Sequence, residues 1–152
     1  MNLQERYLFY MEQAYQLAEL AYQQEEVPIG AVVVSGDTII GRGWNRVEAW
    51  KDPTAHAEMV AIREAAHHVN LKRLTECELY VTIEPCVMCA GAIWQARLKT
   101  VIYGAEDIKG GAYGSLYDLA VDHRLNHRPE VIRGILEERC RCLIQSFFRA
   151  KR

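Results

Sequence analysis

The chain has 152 residues, 50% of them hydrophobic and 25% charged, with a net charge of −2. That length predicts a single domain over residues 1–152, able to bury roughly 70% of its unfolded surface without disulfide staples. No apolar run approaches the roughly 20 residues that span a bilayer, and no membrane association is expected. The start, Met1-Asn2-Leu3-Gln4-Glu5-Arg6, is polar and mixed in charge, unlike a signal peptide, so a cytoplasmic protein is expected. Five cysteines, an odd number, fit a reducing compartment better than a disulfide framework.

In chain order, Leu3, Tyr7, Tyr10, Ala14, Leu17 and Ala21 recur at spacings of three and four, which predicts an amphipathic helix over about 3–23. Ile29 to Val34 is a continuous apolar run, Ser35-Gly36-Asp37 a turn, and Thr38 to Trp44 a return strand, together a β-hairpin. Gly41 and Gly43 weaken the second strand. Asp52-Pro53-Thr54 predicts the start of a helix running to about Val69, with Met59, Ile62, Ala66 and Val69 as its apolar stripe. Leu79–Ile83 reads as a strand, Pro85 opens a helix to about Ala96, and Thr100–Tyr103 reads as a strand. Residues 104–115 hold four glycines and read as a loop, with a short helix around Leu116–Ala120. Glu130–Arg133 predicts a fifth strand, and Leu136, Cys140, Leu143, Ile144, Phe147 and Phe148 mark a final amphipathic helix. This order favours a layered α/β domain, a mixed five-stranded sheet with helices on both faces.

Charge is uneven along the chain. Residues 1–60 carry 4 basic and 9 acidic side chains, residues 121–152 carry 8 and 4. A basic end on an acidic body suits contact with phosphates. It equally suits a solvated helix whose C-terminal dipole favours cations.

Two short runs carry the chemistry: Pro53-Thr54-Ala55-His56-Ala57-Glu58 and Glu84-Pro85-Cys86-Val87-Met88-Cys89. His56, Cys86 and Cys89 are three good zinc ligands, and three protein ligands leave a tetrahedral ion one open position. Cys86 and Cys89, at i and i+3, share one face of a helix turn. Their place after Pro85 puts them at a helix N-terminus, where the dipole favours thiolates. Glu58 lies about 200° around an ideal helix from His56, which suits a carboxylate working beside the metal better than one ligating it. Competing readings are a thioredoxin-like redox pair at Cys86 and Cys89, and a structural zinc site with Cys77 as the nearest fourth ligand. His56 alone could also be an ordinary helix histidine.

H-x-E…P-C-x-x-C is the established signature of zinc deaminases. Here it stands as His56-Ala57-Glu58 and Pro85-Cys86-Val87-Met88-Cys89, separated by 26 residues. The chain thereby resembles the cytidine deaminase-like superfamily, whose three-layer fold agrees with the element order. Longer stretches are similar to bacterial tRNA-specific adenosine deaminases: Glu26-Val27-Pro28-Ile29-Gly30-Ala31, Gly43-Trp44-Asn45-Arg46, Asp52 to Glu58 and Leu79 to Cys86. So are Asp107, Lys109-Gly110-Gly111-Ala112, Gly114-Ser115-Leu116, Asn126-His127-Arg128 and Phe147-Phe148-Arg149. That resemblance implies hydrolytic deamination of the wobble adenosine of a tRNA anticodon stem-loop to inosine, with release of ammonia. It implies one Zn²⁺ per chain that activates water, Glu58 as proton shuttle, and a homodimer. It implies that Asn45 and the Ala57 backbone hold the purine between Ile29, Ile83 and Pro85. Asp107 and Lys109 would lie beside flanking nucleotides, and Phe148 and Arg149 would touch the anticodon loop. The alternative within the superfamily is a free-base or nucleotide deaminase such as a guanine deaminase. An idle RNA-binding module with a structural zinc is the alternative outside enzymes. Tyr113 departs from the family pattern, standing where a small residue is expected.

Overall fold

The computed structural model describes residues 1–152. Alternation along the central strands decides what each face of the sheet meets. β1 (Gly30–Ser35), β2 (Thr38–Trp44), β3 (Cys77–Ile83), β4 (Thr100–Ala105) and β5 (Glu130–Ile132) form one sheet in the order β2-β1-β3-β4-β5. β1 runs antiparallel to β2 and β3, and β3, β4 and β5 run parallel. Ala31, Val33, Leu79, Val81, Val101 and Tyr103 point to one buried cluster. Their neighbours Val32, Val34, Tyr80 and Ile102 point to another. Period-two patterning that is apolar at every position is what a strand covered on both faces requires.

α1 (Leu3–Gln23) covers the second face with Tyr7, Tyr10, Met11 and Ala14. Its start is capped by Asn2, whose Oδ1 accepts from the Glu5 N–H at 2.9 Å. Arg6 then ties the helix to the hairpin through Asp37 and to β3 through Glu78, at 2.7 and 2.8 Å. The final helix, α5 (Glu137–Ala150), lies on the same face against β3 and β4. The other face is covered by α3 (Ala57–Val69) and α4 (Val87–Ala96). No helix is long and apolar enough to cross a membrane.

The glycines of β2 have a packing role. A Cβ at Gly43 would overlap the Ala57 carbonyl oxygen, and one at Gly41 the Ala61 carbonyl oxygen. Ala57, Ala61 and Ala65 face them, fully buried. Small residues on both sides let the backbones of β2 and α3 approach closely, which holds the first turn of α3 against the hairpin.

Two local expectations differ from the structure, and one short element was not anticipated. The helix expected from Asp52 begins at Ala57, because Asp52 Oδ1 instead accepts from the Thr54 N–H and hydroxyl at 2.8 and 2.7 Å. That side-chain turn competes with helix formation and leaves His56 as the cap residue. A four-residue helix, α2 (Val47–Trp50), is too short for periodicity to reveal. Residues 116–120 form turns rather than a helix; a short antiparallel bridge joins Tyr113 to Asp118.

Candidate metal centre

Two helix starts meet at one point. His56 precedes α3 in extended conformation, and Cys86 precedes α4 in the same way, each as the cap residue of its helix. Cys89 follows one turn into α4 and is fully buried. The parallel β3–β4 crossover through α4 puts the Cys86 turn at the carboxyl end of β3. α3 packs beside α4 and brings His56 to it.

The three donor atoms all lie within 4.8 Å of one another. His56 Nδ1 is 3.6 Å from Cys86 Sγ and 3.5 Å from Cys89 Sγ. Zn–S and Zn–N bonds of about 2.3 and 2.0–2.1 Å at a tetrahedral angle require a sulfur-to-nitrogen separation of about 3.6 Å. Donor type and spacing therefore both fit zinc. Cys77, the candidate fourth ligand, sits at the opposite end of β3, so the cluster holds three donors.

Electrostatics within the cluster are set by short contacts and burial. The hydrogen bond from Cys89, with His56 beside it, draws the Cys86 thiol down to about 4. The same contact, together with burial, pushes Cys89 up. His56 is raised by its bond with Cys86. Glu58, in the first turn of α3, is 3% exposed. Burial pushes its carboxyl up to about 7, against the pull of local hydrogen bonding and His56.

Two open cavities adjoin at this end of the molecule. The inner one, about 810 Å³, is lined by His56, Asn45, Glu26, Val47 and Phe148 among others. The outer one, about 1080 Å³, is lined by Ile29, Ile83, Asp107, Lys109, Phe148 and Arg149 among others. Val27, Phe148 and Lys151 belong to both. Asn45 is 7% exposed at the end of β2, where its Oδ1 accepts from the Val47 N–H at 3.0 Å. It is thus a turn residue and a cavity residue at once. Ala57 is buried at the first position of α3, and its N–H is one of the four that a helix start leaves without an intrahelical partner. Pro85 is buried behind the Cys86 turn and lines neither cavity. Phe147 and Phe148 part as adjacent helix residues must. Phe147 is 7% exposed and meets Tyr22 edge-on, whereas Phe148 is 47% exposed. Tyr113 points inward, 1% exposed in the core beneath α4.

Two buried carboxylates were quoted from the sequence without a role. Glu26 accepts from the Glu48 and Ala49 N–H groups at 3.0 and 2.8 Å, holding the start of α2 beside Asn45. Glu84 gathers the loop after β4.

A mixed sheet between two helical layers, with His/Cys/Cys donors and a buried carboxylate at the carboxyl end of its central strands, defines the zinc-deaminase class of α/β protein. Residues 6–152 match the MafB19-like deaminase family. A tRNA-specific adenosine deaminase of Streptococcus pyogenes serotype M1 is 48% identical over 97% of this chain and 86% of its own length. A solved structure from work on A-to-I editing by tRNA:A34 deaminases at the wobble position of transfer RNA superposes with a TM-score of 0.86. It is 41% identical and covers 89% of this chain and 98% of that one. A guanine deaminase structure from Bacillus subtilis is 42% identical but covers 70% of this chain and 66% of that one, with a TM-score of 0.63. The chain belongs to the tRNA-specific adenosine deaminase family, within the MafB19-like deaminases.

Proposed function

We propose that this protein is a zinc-dependent, cytoplasmic tRNA adenosine deaminase that converts the wobble adenosine of an anticodon stem-loop to inosine and ammonia. The observation that carries the reading is Glu58, a carboxylate buried beside three metal donors yet additional to them. His56 Nδ1, Cys86 Sγ and Cys89 Sγ would hold one Zn²⁺ per chain. When bound, zinc supplies Lewis acidity that brings the pKa of water towards neutrality.

Glu58 takes a proton from the attacking water, delivers it to N1 of the purine as C6 is attacked, and then carries a second, from the new C6 hydroxyl, to the amine, which leaves as ammonia as the C6 carbonyl forms. Its raised affinity for a proton, the consequence of burial, suits that exchange. Asn45 and the Ala57 N–H hold the purine edge: Asn45 lines the same cavity as His56, and Ala57 follows His56 at the start of α3. Ile29 and Ile83 form the apolar wall, and Pro85 backs the Cys86 turn without lining it. Asp107 and Lys109 flank the target in the outer cavity, and Phe148 stacks with Arg149 against the splayed loop. An exposed aromatic shared by both cavities supports a substrate longer than one nucleoside. The enzyme acts as a homodimer, as the family resemblance implies.

Guanine deamination is the second reading, favoured by the 42% identity to a guanine deaminase. A panel of tRNAs with wobble adenosine, assayed beside guanine, adenosine and cytidine, separates the two. Inosine in tRNA with the free compounds untouched is expected; ammonia from guanine with tRNA unchanged would overturn the proposal. Glu58→Gln is expected to keep one zinc per chain and to lower inosine formation by roughly 10²–10⁴-fold. Near-normal activity of that variant would rule out the proton shuttle.

A further inference from the structure

Glu84 is 3% exposed and has no basic partner. Its carboxylate is satisfied entirely by the loop that follows β4. Oε1 accepts from the Asp107 N–H at 3.1 Å and from the Ser115 hydroxyl, and Oε2 accepts from the Tyr113 and Ser115 N–H groups at 3.0 and 3.1 Å. Gly111 lies so close that a Cβ there would overlap the carboxylate. The same loop is strapped to the metal-ligand turn. Ala112 N–H donates to Pro85 O at 2.9 Å, and Gly111 bridges Cys86. A buried anion with only neutral donors is tolerable when all of them are in place, so Glu84 and the loop conformation stabilise each other.

We propose that Glu84 is a positioning residue for RNA recognition: it sets the Asp107–Ser115 loop against the Cys86 turn, so that Asp107 and Lys109 stand at a fixed height in the outer cavity. The proposal rests on the tRNA reading above. One carboxylate gathers four donors from three residues spread over nine positions, and no other side chain accepts from any of them. Asp107 is then further ordered by its own turn, Oδ1 accepting from the Lys109 and Gly110 N–H groups at 3.1 and 3.3 Å. A glutamine at position 84 offers one acceptor oxygen, and its amide would confront one pair of donors with donors.

The test compares wild type, Glu84→Gln, Ser115→Ala, Gly111→Ala and the Glu84→Gln/Gly111→Ala double variant on an anticodon stem-loop carrying wobble adenosine. Zinc content and amide exchange at Asp107, Tyr113 and Ser115 are measured alongside. Glu84→Gln is expected to speed exchange at those amides and keep zinc at the wild-type level. It is also expected to raise KM roughly tenfold, with kcat within about twofold. Ser115→Ala moves the same readouts less and carries the test should Glu84→Gln not fold. Gly111→Ala matches Glu84→Gln, and the double variant is no worse than either, since both release one contact. Unchanged exchange overturns the bracing, and faster exchange at wild-type KM overturns the link to RNA. Loss of zinc and kcat at constant KM shows that the carboxylate serves the metal turn instead. Failure of the wild type to act on any RNA overturns the parent reading and the RNA role together. The exchange pattern in that case still decides whether Glu84 holds the loop.

Discussion

Chemical reactivity of the five cysteines follows from where each side chain sits rather than from its type. Cys142 is exposed, whereas Cys77 and Cys140 are buried. Burial pushes Cys140 up to about 12 and raises Cys77 as well. Iodoacetamide at about pH 8 should therefore modify Cys142 alone in the metal-loaded protein, because the thiolate is the reacting form and only an accessible one reacts. After chelation Cys86, half-buried, should join it. Peptide mass spectrometry reads both, and early labelling of Cys140 would contradict the packing of α5 on β4. At this scale His56, Glu58, Cys86 and Cys89 were legible because residue type and spacing are properties of the chain itself. Glu26 and Glu84 were not, because their partners are mostly backbone N–H groups, which nearly every residue carries.

Elements are held in place here by the absence of side chains as much as by their presence. β2 receives α3 across Gly41 and Gly43, facing Ala57, Ala61 and Ala65. Gly43→Val should push the first turn of α3 off the hairpin. We expect a loss of about 1–3 kcal/mol in urea unfolding, typical of overpacking, together with weaker zinc retention because His56 and Glu58 move with that turn. Wild-type stability and zinc content in this variant would mean that α3 can slide without cost. From the sequence these glycines read as weak points in a strand. That reading was sound for an isolated strand and incomplete for a packed one, since strand propensity carries no information about a helix lying on top. The long elements were legible, α1 to the residue, whereas the start of α3 moved because the Asp52–Thr54 turn competes locally for the same backbone groups.

For the molecule as a whole, the metal cluster joins parts distant in sequence: α3, delivered from the hairpin side, and α4, delivered by the parallel crossover. An ion bound there stabilises the folded state by mass action, about 2.7 kcal/mol at a free concentration a hundredfold above its Kd. Chelation should therefore lower the thermal midpoint, and added zinc should restore it, read by scanning calorimetry. A midpoint indifferent to chelator would mean that the cluster does not bind metal in solution. Of the basic surplus in the last 32 residues, Arg149, Lys151 and Arg152 lie at the outer cavity.

The sequence by itself determined the order of the five strands and four long helices, and it marked His56, Cys86 and Cys89, which the fold brings together, with Glu58 two residues from His56. These follow from local periodicity and from ligand chemistry, both of which act over a few residues. Tertiary structure alone decided that Asn45 and Phe148 share a cavity with His56, that Tyr113 belongs to the core, and that Glu84 anchors the loop bearing Asp107 and Lys109. Those facts depend on which distant backbones meet. Such meetings are set by the summed packing of the sheet and its two helical layers, which no short window of residues contains.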